Sequence, residues 1–285
     1  MRFLFVLWIA TPVTALTFEA TPLSVNQGGI VRVRSSGVDD TARMNGRIIR
    51  LFPQKDGDAL GLMPVPALEK PGEYNLELLD KSGNPVQTIT VTVRDAHFRS
   101  QNISISKELS ELKPSPGETE TVAAFRNNVS DVRYWTDAMI TPVSGCLTSP
   151  YGVRRLHNGK ATGDYHAGLD QRSPAGGPIR AIADGQVNIV RQFNLHGGTV
   201  AIDHGQGVES IYLHMSRFAA TEGAIVKKGD VIGYAGSTGR STGPHLHWSI
   251  YVNGIPVNPA QWVHPVACAT ARKAAPKAAP RTPSN

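Results

Sequence analysis

The segment that decides how the second half of this chain is interpreted is Gly243-Pro244-His245-Leu246-His247-Trp248-Ser249-Ile250-Tyr251-Val252-Asn253-Gly254. Apolar and polar residues alternate along it, and it ends in Asn253-Gly254, a dipeptide typical of a tight β-hairpin turn. Because side chains two residues apart leave the same face of a strand, His245 and His247 are predicted to project together, with Cβ atoms about 6 to 7 Å apart. Such a pair is a candidate metal site; the alternative is two exposed polar residues on a strand.

A second motif, Tyr165-His166-Ala167-Gly168-Leu169-Asp170, supplies a further histidine and a carboxylate. In an ideal strand His166 and Asp170 would be about 13 Å apart, too far to share an ion. The chain must therefore bend between them, and Gly168 is the residue that permits bending. With His247 the pair provides two imidazoles and one carboxylate, the ligand set of a hydrolytic zinc site with an open fourth position. These ligands alone do not exclude other divalent ions.

Hydrolysis at such a site also needs a base for the water and a donor for the oxyanion. The sequence has no His-Glu-x-x-His motif, so the candidates are His214 and His245, although His214 taken alone would more often be a packed strand histidine. The segment 239–243 matches the Gly-x-Ser-x-Gly pattern, but Pro244 and a strand follow it instead of a helix, which argues against a serine nucleophile. His204 is assigned to turn structure, and surface or loop roles are assigned to His157, His196 and His264.

Composition indicates a globular chain with two domains. It has 285 residues, 40% of them hydrophobic, which is ordinary for a folded protein. The formal net charge is +6, but four of the positive charges lie in a tail that has no acidic residue, at Arg272, Lys273, Lys277 and Arg281. No nucleic-acid partner is therefore expected. The tail, residues 268–285, is rich in alanine, proline and lysine and is predicted to be disordered.

Residues 1–15 are predicted to be a secretory signal peptide. Arg2 precedes the apolar run Phe3 to Ala10, and Val13-Thr14-Ala15 suits signal peptidase at the −3 and −1 positions. The alternative is a buried first strand. Since the run is far shorter than the ~20 residues of a membrane-spanning helix, no integral membrane segment is expected in the mature chain. The predicted location is the periplasm or the extracellular side of the cell envelope.

The two cysteines, Cys146 and Cys268, bracket the second domain. In an oxidising compartment a disulfide between them would join the two ends of that domain, and the chain-entropy model gives it on the order of 4 to 5 kcal/mol. The alternative is two reduced, buried thiols, and the sequence leaves both open.

The predicted fold class is all-β with two domains and one helical connector. Residues 16–97 alternate in short strands between turns, which predicts an immunoglobulin-like β-sandwich. In the connector, residues 98–141, Ser115-Pro116-Gly117-Glu118 indicates a capped helix start with proline at the first helical position. An amphipathic helix of about four turns is expected to follow, with apolar positions at Val122, Phe125, Val129 and Val132. Residues 142–267 have short strands between glycine-rich turns, which predicts a compact β-barrel or sandwich.

Together the motifs of the second half resemble the lysostaphin-type (LytM-like) peptidoglycan metallopeptidases. The likeness covers roughly residues 142–263, with the motifs in order and at compatible spacing. They are Ser149-Pro150-Tyr151-Gly152-Val153-Arg154, His166-x-x-x-Asp170, Tyr212-Leu213-His214, Gly229-Asp230-Val231-Ile232-Gly233, Ser237-Thr238-Gly239 and Gly243-Pro244-His245-Leu246-His247.

The resemblance implies a duplicated hybrid-motif β-barrel whose narrow groove holds one zinc ion on His166, Asp170 and His247. It implies that His214 and His245 face the substrate, where they activate water and stabilise the tetrahedral intermediate. The expected protein is an exported zinc metalloendopeptidase in which a zinc-bound water attacks peptide bonds of peptidoglycan, in the stem or the cross-links. Peptidoglycan is the expected partner, and the chain is expected to be a monomer. Which bond is cut remains open.

Two alternatives concern related barrels. Some relatives of this family lose zinc ligands and act as peptidoglycan-binding regulators that activate a cell-wall amidase; here every motif ligand is present. Lipoyl- and biotin-carrier barrels share the Gly-Asp-Val-Ile-Gly surroundings, but residues 142–267, which contain that motif, have neither the Asp-Lys nor the Met-Lys-Met hairpin tip. The active enzyme is therefore favoured, and the first half of the chain is expected to shield the groove or to hold wall polymer.

Overall fold

The computed structural model describes residues 16–36 and 41–268, and most of the regular structure in these ranges is β-strand. The predicted signal peptide lies outside the described residues, as does the tail from residue 269 onward. Within the described ranges there are two α-helices, Lys107–Glu111 (α1) and Glu118–Arg126 (α2), and one 3-10 turn, Pro259–Gln261. The prediction of a mostly β chain is confirmed.

The first nine strands form two sheets that share one core. They are Phe18–Thr21 (β1), Ser24–Asn26 (β2), Ile30–Ser35 (β3), Thr41–Met44 (β4), Arg47–Arg50 (β5), Phe52–Pro53 (β6), Ala59–Pro64 (β7), Gly72–Leu79 (β8) and Pro85–Arg94 (β9). One sheet has the strand order β1-β3-β7-β6, and the other has the order β2-β9-β8-β4-β5. Inward-facing residues of both sheets, such as Val33 and Val91, are fully buried in the shared core. The immunoglobulin-like character of this half remains a prediction.

The remaining strands build the half of the chain that carries the site. They are Ser100–Ile103 (β10), Leu147–Ser149 (β11), Arg154–His157 (β12), Lys160–Tyr165 (β13), Leu169–Arg172 (β14), Pro178–Arg180 (β15), Gly185–Gln192 (β16), Gly198–Gly205 (β17), Val208–Phe218 (β18), Ile225–Val226 (β19), Val231–Ala235 (β20), His245–Val252 (β21) and Ile255–Val257 (β22).

A ten-stranded sheet is the centre of this half. Its main order is β11-β14-β21-β18-β17-β16-β19, and β20, β15 and β22 branch from that path. Strand β17 is buried along its whole length, as a continuous apolar run in a covered strand requires. Strands β21 and β22 pair across Asn253-Gly254, both with positive φ, so the hairpin predicted at the end of the His245-x-His247 strand is confirmed.

Two parts of the connector, β10 and α2, contact the half of the chain that carries the site. Strand β10 pairs in parallel with β12, and β12 pairs with β13, which makes a small third sheet. Val122 and Phe125 of α2 are buried in a cluster with residues of β16, β17, β18 and β21. The sequence pattern thus identified the contacting face of the helix correctly.

The predicted extent of the connector helix was wrong. Helix α2 begins at Glu118, after a Gly117 with φ of 77°, and ends at Arg126, so it has nine residues instead of four turns. Val132 lies beyond the helix and is half-exposed. The helix stops because the chain turns at Asn127, whose N–H donates to the carbonyl of Ala123. Residues 128–141 then follow the surface of the barrel without regular structure.

A disulfide joins Cys146 to Cys268, with 4.8 Å between the Cα atoms. Cys146 immediately precedes β11, which pairs with β14, and the carbonyl of Leu147 accepts from the N–H of Cys268. The bridge therefore fixes the last described residue of the chain to the edge of the sheet that carries Asp170. Of the two alternatives left open by the sequence, the structure has the disulfide.

Candidate active site

Three side chains converge where β14 and β21 lie side by side. Asp170 on β14 is directly opposite His247 on β21, and His166 precedes β14 by a short loop. His166 Nε2, Asp170 Oδ1 and His247 Nδ1 lie 2.8 to 2.9 Å from one another. These are the residues of the predicted ligand set, and the structure brings them together as expected.

The loop between His166 and Asp170 bends as predicted, but its glycine serves a different purpose. The chain leaves β13 at Tyr165 and enters β14 at Leu169, so four residues of separation become hydrogen-bond distance between side chains. A Cβ atom on Gly168 would lie 2.2 Å from the carbonyl oxygen of Trp248. Glycine is therefore required because the loop packs directly on the backbone of β21.

The hydrogen bonds of His166 determine which of its ring nitrogens carries the proton and which faces the cluster. Its Nδ1 lies 2.8 Å from the carbonyl oxygen of Pro150, which can only accept, so Nδ1 carries the proton and Nε2 points its lone pair at Asp170. This fixed tautomer is the usual support of a metal-bound histidine. His166 is buried, and Ser149 Oγ also lies 3.3 Å from Nδ1.

His247 has a comparable arrangement. Its Nε2 lies 3.1 Å from Ser249 Oγ, on the same face of the strand, and that hydroxyl can accept the ring proton so that Nδ1 faces His166 and Asp170. Burial lowers the pKa of His247 to about 4, which outweighs the opposing effect of Asp170 and leaves the ring neutral near pH 7. Two imidazole nitrogens and one carboxylate oxygen thus converge, and this donor set fits a zinc ion or a similar divalent cation.

Asp170 is held as a carboxylate. Its second oxygen, Oδ2, accepts from the guanidinium of Arg155 on β12 at 3.1 Å. One oxygen therefore faces the histidines while an arginine orients the other. Arg155 was not among the predicted site residues, because nothing local to residues 154–157 predicts that β12 approaches β14.

His214 enters the site from an irregularity in β18. Tyr212 pairs with Val200 and Met215 with Gly198, so two residues, Leu213 and His214, oppose the single residue Thr199 of β17. His214 has a φ of 63°, in the left-handed region that few non-glycine residues adopt. A β-bulge re-aims a side chain out of the alternation of its strand. This explains how a residue that resembles an ordinary packed strand histidine comes to face the predicted metal ligands.

The imidazoles of His214 and His245 stand beside the ligand cluster with their ring centres 5.0 Å apart. His214 donates from Nδ1 to the carbonyl of Thr238 at 2.8 Å, and His245 donates from Nδ1 to the carbonyl of Gly243 at 2.8 Å. In both rings Nε2 is the nitrogen left for other partners, and that of His245 lies 3.8 Å from Asp170 Oδ1. Burial, with smaller effects of His247 and His245, lowers the pKa of His214 to about 3, so this ring is neutral near pH 7.

All five predicted site residues border one cleft of about 420 Å³ or a second, adjoining space of about 240 Å³. The connector supplies part of the cleft wall through Ile103, Ile105 and Arg126, and no described residue before Ile103 lines it. Three arginines, Arg126, Arg155 and Arg240, line the cleft together with the two aspartates Asp164 and Asp170. Arg240 is exposed, and among the described residues its guanidinium forms no ion pair.

Of the other assigned histidines, His204 departs from its prediction. It was assigned to a turn but is fully buried in β17, where Nε2 lies 2.7 Å from Ser210 Oγ. His157 lies on β12 in the wall of the cleft, and His196 lies in the loop after β16, where it pairs with the buried Glu118. His264 is exposed in a loop as expected. The error for His204 arose because a glycine-flanked Asp-His pair resembles a turn, whereas here both residues end a buried strand.

Comparison with known proteins places the site within a described family. Residues 164–259 match the model of Peptidase family M23. DD-carboxypeptidase/endopeptidase Mpg of Neisseria meningitidis serogroup B is 46% identical over 113 residues, which are 40% of this chain and 26% of that protein. Peptidoglycan DD-endopeptidase ShyA of Vibrio cholerae is 37% identical over 127 residues, 45% of this chain and 30% of that protein. The chain therefore spans less than a third of the length of these two curated relatives.

A solved structure is similar over most of the chain. The crystal structure of a protein described as a peptidase M23 from Pseudomonas aeruginosa matches with a TM-score of 0.64 and 28% sequence identity, and the match covers 83% of this chain and 93% of that one. The likeness thus extends beyond the matched family segment to much of the first half and the connector.

Proposed function

We propose that this chain, whose residues 164–259 form a metallopeptidase domain of family M23, is an exported zinc endopeptidase that hydrolyses peptide bonds in peptidoglycan. The observation that carries the proposal is the convergence of His166 Nε2, Asp170 Oδ1 and His247 Nδ1, with His214 and His245 beside them in one cleft. The substrate class is supported by the name of one relative, a peptidoglycan DD-endopeptidase, and the reaction type by that of the other, a DD-carboxypeptidase/endopeptidase.

His166, Asp170 and His247 would hold the ion, and zinc bound there would acidify a water molecule to a pKa of about 7 and polarise the scissile carbonyl. Neutral His214, with Nε2 free of its Thr238 contact, is placed to accept the proton of the attacking water. His245, in its doubly protonated form, would donate from Nε2 to the oxygen of the tetrahedral intermediate while Nδ1 donates to the carbonyl of Gly243. Arg155 keeps the carboxylate of Asp170 in its orientation.

The charge of the cleft favours a peptide that carries a free carboxylate next to the scissile bond. Among the arginines of its wall, Arg155 is paired with Asp170, and Arg126 lies over the ring of Tyr251. Arg240 forms no ion pair with any described residue. A guanidinium recognises a carboxylate through parallel hydrogen bonds. We therefore propose that Arg240 binds a carboxylate of the cross-linked stem peptide. Glycine bridges would not provide such a carboxylate.

The proposal is tested with the full-length mature protein and purified sacculi of several wall types. Protein loaded with zinc is expected to release soluble peptides whose masses identify the cleaved bond, and protein treated with a chelator is expected to release none until zinc is restored. A zinc-loaded protein that releases no peptide from any sacculus would exclude the enzyme.

The second candidate function is a silent regulator that activates a cell-wall amidase. The complete donor set argues against it, because a regulator has no need of converging lone pairs. If the zinc-loaded protein leaves peptide bonds intact but increases glycan–peptide cleavage by an added amidase, the regulator is the correct function.

A further inference from the structure

Glu118, the first residue of α2, belongs to the connector but is bound to a loop of the catalytic barrel. Its side chain is fully buried. The carboxylate accepts from three consecutive backbone N–H groups in the loop between β16 and β17: Asn194 at 3.1 Å, Leu195 at 3.0 Å and His196 at 2.9 Å. The ring of His196 pairs with the same carboxylate, and Ser115 donates to it from both its N–H and its hydroxyl.

This arrangement binds the charged form of the side chain. Burial opposes ionisation of Glu118, but the contacts from His196 and Ser115 outweigh it and lower its pKa to about 2. Successive N–H groups that point at one anion form a concave site in which each bond is strengthened by the charge. The carboxylate therefore holds the backbone of residues 194–196 in one conformation.

The same loop contacts His214 and its support. The carbonyl of His196 accepts from the N–H of His214 at 3.0 Å, and the carbonyl of Leu195 accepts from the N–H of Arg240 at 2.9 Å. Gly197 packs so closely on Thr238 that a Cβ atom there would lie 2.4 Å from the carbonyl of Thr238, the group that accepts from His214 Nδ1. The loop thus borders both the backbone and the ring contact of His214.

His214 depends on such contacts more than an ordinary strand residue does. Its φ of 63° is unfavourable for a residue with a side chain, and a residue in that region persists where its surroundings determine it. Its position in a bulge also removes the regular ladder that would otherwise fix its orientation. The hydrogen bond from its N–H to His196 is one of the few that define its backbone.

We propose that Glu118 is a positioning residue for His214: by capturing the N–H groups of residues 194–196, it fixes the loop that sets the orientation of the histidine. It does not line the cleft. The inference rests on the proposed role of His214 in hydrolysis. The connector helix is then part of the catalytic unit, since its first residue supports the base and its packing face lies on the same sheet.

The test compares Glu118→Gln with Glu120→Gln in the full mature chain loaded with zinc. Glutamine keeps the size of the side chain but removes its charge and turns an N–H₂ group toward backbone N–H donors. Glu120 is exposed on the same helix, so its substitution makes the same change of charge without touching the loop. In Glu118→Gln the kcat is expected to fall about 10- to 100-fold, because small misplacement of a reacting group has effects of that size. The KM and the zinc content are expected to stay unchanged.

Amide hydrogen exchange provides the readout that a general loss of stability would not reproduce. Exchange is expected to accelerate at Leu195, His196 and His214 of Glu118→Gln and to stay unchanged at Val200 and Ile202 of β17. Glu118→Asp, which keeps the charge but withdraws it by one methylene, is expected to give an intermediate result and serves if the glutamine variant does not fold.

Wild-type kcat with unchanged exchange at residues 195, 196 and 214 would overturn the inference. Equal acceleration over the whole barrel would overturn it as well, since Glu118 would then support only the fold. Exchange is measured without substrate, so the two proposals can fail separately. An inactive wild-type protein refutes the hydrolase. If the wild type is active and Glu118→Gln has wild-type kcat and unaltered exchange in the loop, the role of Glu118 is refuted.

Discussion

Asp170 and His247 face each other across the β14–β21 strand pair, with Oδ1 and Nδ1 2.8 Å apart. Cross-strand neighbours are the closest side chains that a sheet can provide, so two of the three proposed ligands are positioned by the hydrogen-bond register. His245 projects from the same face of β21 but lies two residues before His247, and its Nε2 is 3.8 Å from the same carboxylate oxygen. The register therefore separates the two histidines of one motif.

This separation predicts different results for two alanine variants. His247→Ala removes a ligand, and both the zinc content and the release of peptides from sacculi are expected to collapse. His245→Ala is expected to keep its zinc and to lose activity about 100-fold or more, as when an enzyme loses one donor to the oxyanion of the tetrahedral intermediate. Zinc is measured by elemental mass spectrometry and activity by peptide release, with the exposed His264→Ala as control. Undiminished peptide release by either variant would contradict the assignment.

The charge of the cleft predicts a specificity effect at Arg240. Arg240→Gln is expected to raise the KM for cross-linked stem peptides about 10-fold or more, because a charge-assisted hydrogen bond to a carboxylate is lost. Peptides whose free carboxylates are amidated should show no difference between variant and wild type. Arg191→Gln, at an exposed position on β16 that does not border the cleft, is the matched control. Equal losses for free and amidated peptides would show that Arg240 does not recognise a carboxylate.

Glu209 predicts a pH dependence of stability. It is fully buried on β18, and neither carboxylate oxygen has a hydrogen-bond partner among the described residues. Burial, and then the nearby Asp203, raises its pKa to about 9 from an ordinary value of 4.5. Below pH 4.5 both folded and unfolded chains hold the proton; between pH 4.5 and about 9 only the folded chain does, so stability falls as pH rises.

Glu209→Gln imitates the protonated form and should remove this dependence. Compared with wild type, its free energy of unfolding at pH 8 is expected to be higher by on the order of 5 kcal/mol, with little difference at pH 4.5, since each pKa unit corresponds to about 1.4 kcal/mol. Urea denaturation at a series of pH values measures the difference, and the exposed Glu222→Gln serves as control. A constant difference across the series would contradict the buried, protonated carboxyl.

The disulfide predicts a loss of stability that leaves the site intact. Cys146 and Cys268 are separated by 122 residues, and opening a loop of that length is expected to cost about 5 kcal/mol. Cys146→Ser with Cys268→Ser should lower the denaturation midpoint while zinc content and kcat stay near those of wild type, because the bridge lies at the sheet edge outside the cleft. Loss of zinc at temperatures where the variant is still folded would contradict this separation.

Local spacing in the sequence predicted the strand and the bend that carry the candidate metal ligands. The alternation from His245 to Val252 followed by Asn253-Gly254 predicted a strand and its hairpin, because a side-chain period of two and a turn with positive φ are properties of a few adjacent residues. The His166-x-x-x-Asp170 spacing predicted a bend for the same reason. The family resemblance then supplied the proposed roles, which spacing alone could not assign.

Tertiary structure decided what surrounds those residues. The bulge at His214, the pairing of Arg155 with Asp170 and the capture of the 194–196 backbone by Glu118 each join segments that are distant along the chain or shift a strand out of register. Glu118 was identified only as a helix-start residue, because a capping pattern reports the next few residues and contains nothing about a loop 76 to 78 positions away. The sequence by itself determined which side chains can bind a metal. Packing between distant segments decided how each one is held, since orientation depends on neighbours that local periodicity does not encode.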